Sequence, residues 1–272
     1  MSNVESKSAY FRIEKSVSKH AFNMPGGHMH GWNELYYLFE GERRYFIDGQ
    51  IYTVCEGDVI LIPKSTPHHT TSISSRPHIR YLVEFGDDLI QESLHPFIDK
   101  CFQVRHFTLS SEQRATFEKI LQKSERELST KSPCYEALLK AYTTELLVLT
   151  IRLLQSGCQI RDRQKTPTEQ LIESSTSYIE KNLQSDLKLT HLSDKYHLSP
   201  SYFSRIFKAY TGFGFNEYLT HLRIQKATQL LRNTSEPISE IAYWCGFSDS
   251  NYFSTVFKKE TGLSPIKYRM LQ

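Results

Sequence analysis

The sequence predicts an α+β multidomain protein: an N-terminal β-barrel with two appended helices, then an all-α domain built on two helix-turn-helix units. Three observations carry this. Residues 8 to about 108 hold short runs rich in β-branched and aromatic residues, separated by turn signals. From Ser110 the apolar spacing changes to a helical period. Near the end, Tyr202-Phe203-Ser204-Arg205-Ile206-Phe207-Lys208 returns as Tyr252-Phe253-Ser254-Thr255-Val256-Phe257-Lys258. Each copy is followed by Thr-Gly, at Thr211-Gly212 and Thr261-Gly262, and the echo reaches Tyr218 and Tyr268. A length of 272 residues fits two domains.

Five strands are expected, at 35–39, 44–47, 50–54, 58–62 and 79–85. Asp48-Gly49 between two of them is a strong hairpin signal. Short strands this closely spaced point to a barrel or jelly roll. Phe117, Ile120, Leu121 and Leu128 then form one helical stripe. A second helix is expected after Ser132, with Pro133 in its first turn, carrying Leu138, Leu139, Tyr142, Leu146, Leu149, Leu153 and Leu154. Two such helices either cover the open end of the barrel or pair with a second subunit. Arg43-Arg44 reads as a solvated hairpin edge.

The first domain is set at 1–158, a polar linker at 159–168, and the helical domain at 169–272. In the last, Thr168 is expected to cap a helix from Glu169, Thr190 a short helix through Tyr196, and Ser199 a third helix opening on Pro200. In the second copy Ser239 and Ser248 are the expected caps, with the turn at Gly246. Phe203, Ile206, Phe207 and Tyr210 make a buried stripe, matched by Phe253, Val256 and Phe257. Ser201, Ser204, Arg205 and Lys208 point elsewhere in the first copy, and Ser250, Asn251, Ser254, Thr255 and Lys258 in the second. Between them a helix over 215–231 could hold two such faces about one DNA turn apart. Ser, Asn and Arg are side chains that hydrogen-bond base edges. Arg223 and Lys226 on the connecting helix read as phosphate or solvent contacts.

Composition limits the alternatives. The net charge is +3, too small to announce a nucleic-acid partner by itself. The basic surplus lies slightly toward the C-terminus, with 12 Lys and Arg against 10 Asp and Glu from residue 166 onward. Cys55, Cys101, Cys134, Cys158 and Cys245 are scattered, without the CxxC spacing of a zinc finger, and read as free thiols. Neither a signal peptide nor a membrane span is evident, so a cytoplasmic chain without membrane contact is expected.

The second copy carries a further pattern. Ile238, Ile241, Ala242, Cys245-Gly246-Phe247, Tyr252-Phe253, Phe257-Lys258, Gly262, Pro265 and Tyr268-Arg269 stand at spacings that resemble the DNA-binding domain of the AraC/XylS transcription regulators. The resemblance covers about a hundred residues. It implies sequence-specific binding to double-stranded DNA, a transcription regulator that is most often an activator, and contact with RNA polymerase. The family's base-reading positions correspond to Ser201, Ser204 and Arg205, and to Ser250, Asn251 and Thr255.

His28-x-His30-x-x-x-Glu34, then Gly57, Pro63 and His68, resemble the two cupin motifs, so the barrel is expected to be cupin-like. Ser65 stands where the motif has glycine. His28, His30 and Glu34 share parity and would share one face of an extended strand. One reading is a small-molecule effector site, for a sugar or similar compound, formed by His28, His30, Glu34, Tyr36 and His68 without metal or cofactor. Tyr45 and Trp32 are further stacking candidates. The other is a metal site of His28, His30, Glu34 and His68, in a cupin enzyme or a metal-responsive regulator. No catalytic residues are assigned, and a homodimer is expected. By family analogy residues 1–20 form an arm.

Overall fold

The computed structural model describes residues 10–157 and 163–271. Cys158, residues 159–162 of the expected linker and residues 1–9 of the expected arm lie outside the described residues. The chain divides into two units, Met1–Pro25 with Met29–Gln164, and Gly26–His28 with Lys165–Gln272. Among the described residues, no helix is long and apolar enough to cross a membrane.

The first unit holds β1 (Phe11–Ser18), β2 (Asn33–Glu40), β3 (Glu42–Ile47), β4 (Gln50–Cys55), β5 (Asp58–Ile62), β6 (His68–Ser72) and β7 (His78–Phe85). It continues through α1 (His95–Cys101), β8 (His106–Thr108), α2 (Ser111–Thr130) and α3 (Tyr135–Gln155). The strands form an antiparallel sheet in the order β1-β7-β2-β5-β8 and a second in the order β4-β3-β6. Asp48 and Gly49 turn the β3–β4 hairpin with φ of 50° and 81°, the left-handed geometry a two-residue loop requires. Residues 11–18, expected in an arm, are instead an edge strand paired along its whole length with β7.

β2 shows how the unit holds together. Asn33 to Leu38 are all buried, because both faces of this central strand are covered. Tyr36 and Leu38 join Tyr45, Ile47, Val54, Ile60, Ile62 and Leu82 in a cluster between the two sheets. Leu35 and Tyr37 face the other way, into a larger core with Phe107, Phe117, Ile120, Leu146 and Leu147. Thus α2 and α3 cover the outer face of the five-stranded sheet, not an open end. Ser110 caps α2 in a capping box with Gln113. Pro133 precedes α3 rather than lying in its first turn.

Arg43 departs most from expectation. It is 1% exposed, not a solvated hairpin edge. Its guanidinium donates to Thr70 Oγ1 (3.3 Å), the Phe22 carbonyl (2.5 Å) and Ser72 Oγ (2.8 Å). Burial lowers its pKa. Parity explains the position, since Arg43, Tyr45 and Ile47 alternate along β3 and share its inner face.

The second unit holds α4 (Pro167–Lys181), α5 (Leu189–Lys195), α6 (Pro200–Thr211), α7 (Phe215–Asn233), α8 (Ile238–Trp244), α9 (Ser250–Thr261) and α10 (Pro265–Met270). Thr166, not Thr168, caps α4, in a reciprocal box with Glu169, so the last two residues of the expected linker are helical. Lys188 rather than Thr190 precedes α5, Pro237 rather than Ser239 precedes α8, and Asp249 rather than Ser248 caps α9. Ser199 caps α6 as expected. The Thr-Gly pairs are C-caps. Gly212 and Gly262 take φ of 80° and 78°, while each threonine hydroxyl bonds the carbonyl four residues back, at 2.8 Å.

A buried carboxylate ties β8 to the sheet. Asp58 lies 2.9 Å from His106 Nε2 and accepts from Thr108 Oγ1 (2.7 Å) and the Cys55 amide (2.8 Å). Asp58→Ala is expected to lower the unit's stability by about 3–5 kcal/mol, because it leaves buried partners behind. Lys15→Ala, which breaks an exposed pair with Glu125, should cost under about 1 kcal/mol. Urea unfolding followed by tryptophan fluorescence measures both.

Candidate DNA-reading face and barrel site

The two helix-turn-helix units repeat the same local contacts. In the first, α5 leads through His197 (φ 55°) into α6, and the Leu198 amide donates to the Ser193 carbonyl at 2.8 Å. In the second, α8 leads through Gly246 (φ 86°) into α9, and the Phe247 amide donates to the Ala242 carbonyl at 3.0 Å. Phe207 packs on Tyr218 at 5.6 Å, as Phe257 packs on Tyr268 at 5.4 Å. This is what the repeated Tyr at the end of each copy does.

α6 and α9 are both 12 residues long. Ser201, Arg205 and Lys208 are exposed on α6, with Ser204 half-buried. Ser250, Asn251, Thr255 and Lys258 are exposed on α9. The Arg205 guanidinium lies over the Tyr202 ring at 5.3 Å, which steadies it at the surface. Ser254 and Thr255 hydroxyls donate to the Ser250 and Asn251 carbonyls, leaving oxygen lone pairs outward. Arg223 is not available as expected: it is half-buried and donates to the Leu183 and Ser185 carbonyls, both at 2.9 Å.

In the first unit, Glu34 and Glu84 stand directly opposite one another on β2 and β7, both buried. Like charges so paired need compensation. Glu84 accepts from Trp32 Nε1 (3.2 Å) and Tyr10 OH (3.1 Å), and pairs with Arg12 (3.5 Å). Glu34 Oε2 lies 3.3 Å from His30 Nε2 and 3.8 Å from His68 Nε2. Trp32 stacks between Tyr10 (3.9 Å) and His30 (4.6 Å). Glu84, Tyr10 and Arg12 are members of this cluster that the motif-based reading missed. Parity on β7 with the inward Leu82 was the available signal for Glu84.

His30 precedes β2, so it reaches Glu34 from a loop rather than along one extended face. His28 falls in the segment Gly26–His28, grouped with the second unit. Tyr36 lies deeper, fully buried, edge-on to Tyr45 at 4.9 Å and beneath the Arg80 guanidinium at 5.9 Å. Burial pushes the Tyr36 hydroxyl up to about 12. His30, Glu34 and Glu84 offer ligand atoms within 4.8 Å of one another, a geometry open to a metal ion. Farther along the inner face Arg43, Arg80 and His78 gather; burial and then these two guanidiniums lower His78 to about 4. His68 is lowered to about 3 by burial, with its Nδ1 donating to the Thr66 carbonyl at 2.8 Å.

A strand-built unit with a polar interior, joined to two helix-turn-helix units with exposed reading faces, defines a ligand-responsive DNA-binding regulator. Comparison with known proteins agrees. Residues 9–147 match the AraC-like ligand binding domain, and residues 192–270 a helix-turn-helix domain. The chain belongs to the AraC family of transcription regulators. It is 26% identical to the HTH-type transcriptional activator RhaR of Mannheimia succiniciproducens over 265 residues, 96% of this chain and 94% of that protein. It is 37% identical over 113 residues to the uncharacterized HTH-type transcriptional regulator YijO of Escherichia coli, 42% of this chain and 39% of that one. Among solved structures, the C-terminal domain of AraT, a response regulator from Geobacillus stearothermophilus, is 37% identical with a TM-score of 0.38. The match covers 39% of this chain and 89% of that one.

The two depressed histidines set a pH response. Both bind protons more weakly folded than unfolded, so the unfolded chain holds more protons below the ordinary value of 6.5. Stability of the first unit is therefore expected to fall as pH drops from about 6.5 toward 4, by up to about 1.4 kcal/mol per pH unit for each histidine. His78→Gln should flatten that slope in urea titrations at several pH values.

Proposed function

We propose that the chain activates transcription by placing α6 and α9 in successive major-groove turns of one DNA duplex, under control of a small molecule bound between the sheets of the first unit. The observation that carries the DNA half is the matched pair of helices. Phe203, Phe207 and the Thr-Gly cap are repeated in the second helix, while Ser201 and Arg205 are replaced by Asn251 and Thr255. Ser201, Ser204 and Arg205 read one half-turn, Ser250, Asn251 and Thr255 the other, and Lys208 and Lys258 contact phosphates. One protomer therefore reads an asymmetric site. Homodimerisation, contact with RNA polymerase and a cytoplasmic location follow the family pattern, and the chain is a regulator rather than an enzyme.

The effector reading rests on Glu34 and His68. Their facing atoms stand 3.8 Å apart, beyond direct hydrogen bonding, and a ligand hydroxyl bridging both would fit a sugar. His30 and Trp32 border it, and Tyr36 with Arg80 lies deeper. Arg43 and Arg80 bring positive charge to that deeper end, where Glu34 and Glu14 favour the charged form of Arg80, so neutral sugars and their acid counterparts are the probes that tell which the site takes. A second reading, a divalent ion on His30, Glu34 and Glu84, is favoured by their proximity alone. Metal analysis of protein purified without chelator separates the two; less than about 0.1 equivalent leaves the organic effector.

Two outcomes are expected. Arg205→Glu should lower affinity for a selected DNA site by at least about tenfold, as loss of a base contact costs about 1–3 kcal/mol, while Lys119→Glu on α2 has little effect. Equal losses would remove Arg205 from the reading face. In thermal-shift screens of neutral sugars against their acid counterparts, a ligand at 100 times its Kd adds about 2.7 kcal/mol. Glu34→Gln and His68→Gln should each abolish that shift.

A further inference from the structure

We infer that Arg223 is a positioning residue that fixes the angle between the two reading helices, and so makes the second half-site count. Arg223 sits on α7, the helix shared by both helix-turn-helix units. Its Nε and Nη2 hold the Leu183 and Ser185 carbonyls, in the segment between α4 and α5 of the first unit of the repeat. The same guanidinium lies 5.7 Å from the centre of the Phe247 ring, in the turn between α8 and α9 of the second. One planar group therefore touches both halves.

The surrounding packing leaves the joint little slack. Gly246 faces the same spot, and a Cβ added there would overlap the Leu183 carbonyl oxygen and crowd Arg223 Nε. The turn of the second half is thus seated directly on the chain of the first. The side chains of Leu183 and Leu187 at the two ends of this segment are buried, which anchors it. Arg223 is half-buried, and burial lowers its pKa against the partial support of Asp186. A guanidinium suits this place because its rigid fork reaches two carbonyls at once while its face rests on a ring; an ammonium can do neither as well.

The test uses the full chain and a duplex selected from random DNA. Affinity is compared on three duplexes: the full site, the site with the base pairs under α9 replaced, and the full site with one base pair inserted between the halves. For wild type the full site should bind at least tenfold better than either altered duplex. Arg223→Ala should reduce both ratios to within about threefold, while affinity for the duplex lacking the α9 half changes less than about twofold. Arg223→Lys should fall between them, and it supplies the same readout should the alanine variant not fold. Unchanged ratios in both variants overturn the inference. So does an equal loss on all three duplexes with a salt slope shallower by about one, which marks a phosphate contact instead.

Discussion

Helix α7 has to satisfy two cores with one cylinder. Phe215, Tyr218, Leu219 and Leu222 serve the first helix-turn-helix, and Ile224, Ala227 and Leu231 serve the second. Nineteen residues at 1.5 Å each give a rod of about 28 Å. Everything in the helical unit is referred to it, since neither pair of short helices encloses a core alone. α5 and α8 are only seven residues long and would not hold together in water unsupported. Each recognition helix keeps its orientation by resting its phenylalanines against α7 and the aromatic beyond the Thr-Gly cap. The rod is therefore both the common wall of two cores and the ruler between two reading faces.

The first unit solves a related problem with alternation. Because β2, β5 and β7 are covered on both sides, even and odd residues belong to different cores, and a polar residue of the inner parity points between the sheets. That puts Glu34, Glu84 and His78 inside, as the alternation of β3 does Arg43. Each carries charge or hydrogen-bonding capacity that a smaller, fully apolar interior would not hold. Between these polar groups Tyr36 and Tyr45 pack with Leu38, Ile47, Val54, Ile60, Ile62 and Leu82.

Much of this was legible in sequence. The Asp48-Gly49 hairpin, the change to a helical period at Ser110, the Ser199 cap, the helical stripes and the duplicated unit are local signals, and local signals survive folding. What failed was of two kinds. Threonines and serines near helix starts are interchangeable to the eye. Thr166-x-x-Glu169 carried the fuller capping box, yet Thr168 stood closer to the apolar stripe. The other failure was to assume that arginines face water. Arg43 and Arg223 are both held by carbonyl and hydroxyl oxygens contributed from distant segments, Phe22 and Thr70 for one, Leu183 and Ser185 for the other. No window of sequence contains those partners. β1, β6 and β8 were missed for a similar reason, since Phe11–Ser18, His68–Ser72 and His106–Thr108 are polar or short and become strands by pairing with apolar neighbours.

The paired Thr-Gly caps bear on how such a protein can be altered. Each ends its recognition helix after 12 residues, with the same hydroxyl bond and the same left-handed glycine, and each is preceded by the same sequence of buried and exposed positions. The two helices are thus mounted in sockets of one gauge. Outward residues can be moved from one socket to the other without disturbing a cap, a turn or a core contact. A library that exchanges Ser201 and Arg205 with Asn251 and Thr255, which occupy matching positions, would vary what is presented while leaving caps, turns and core contacts in place.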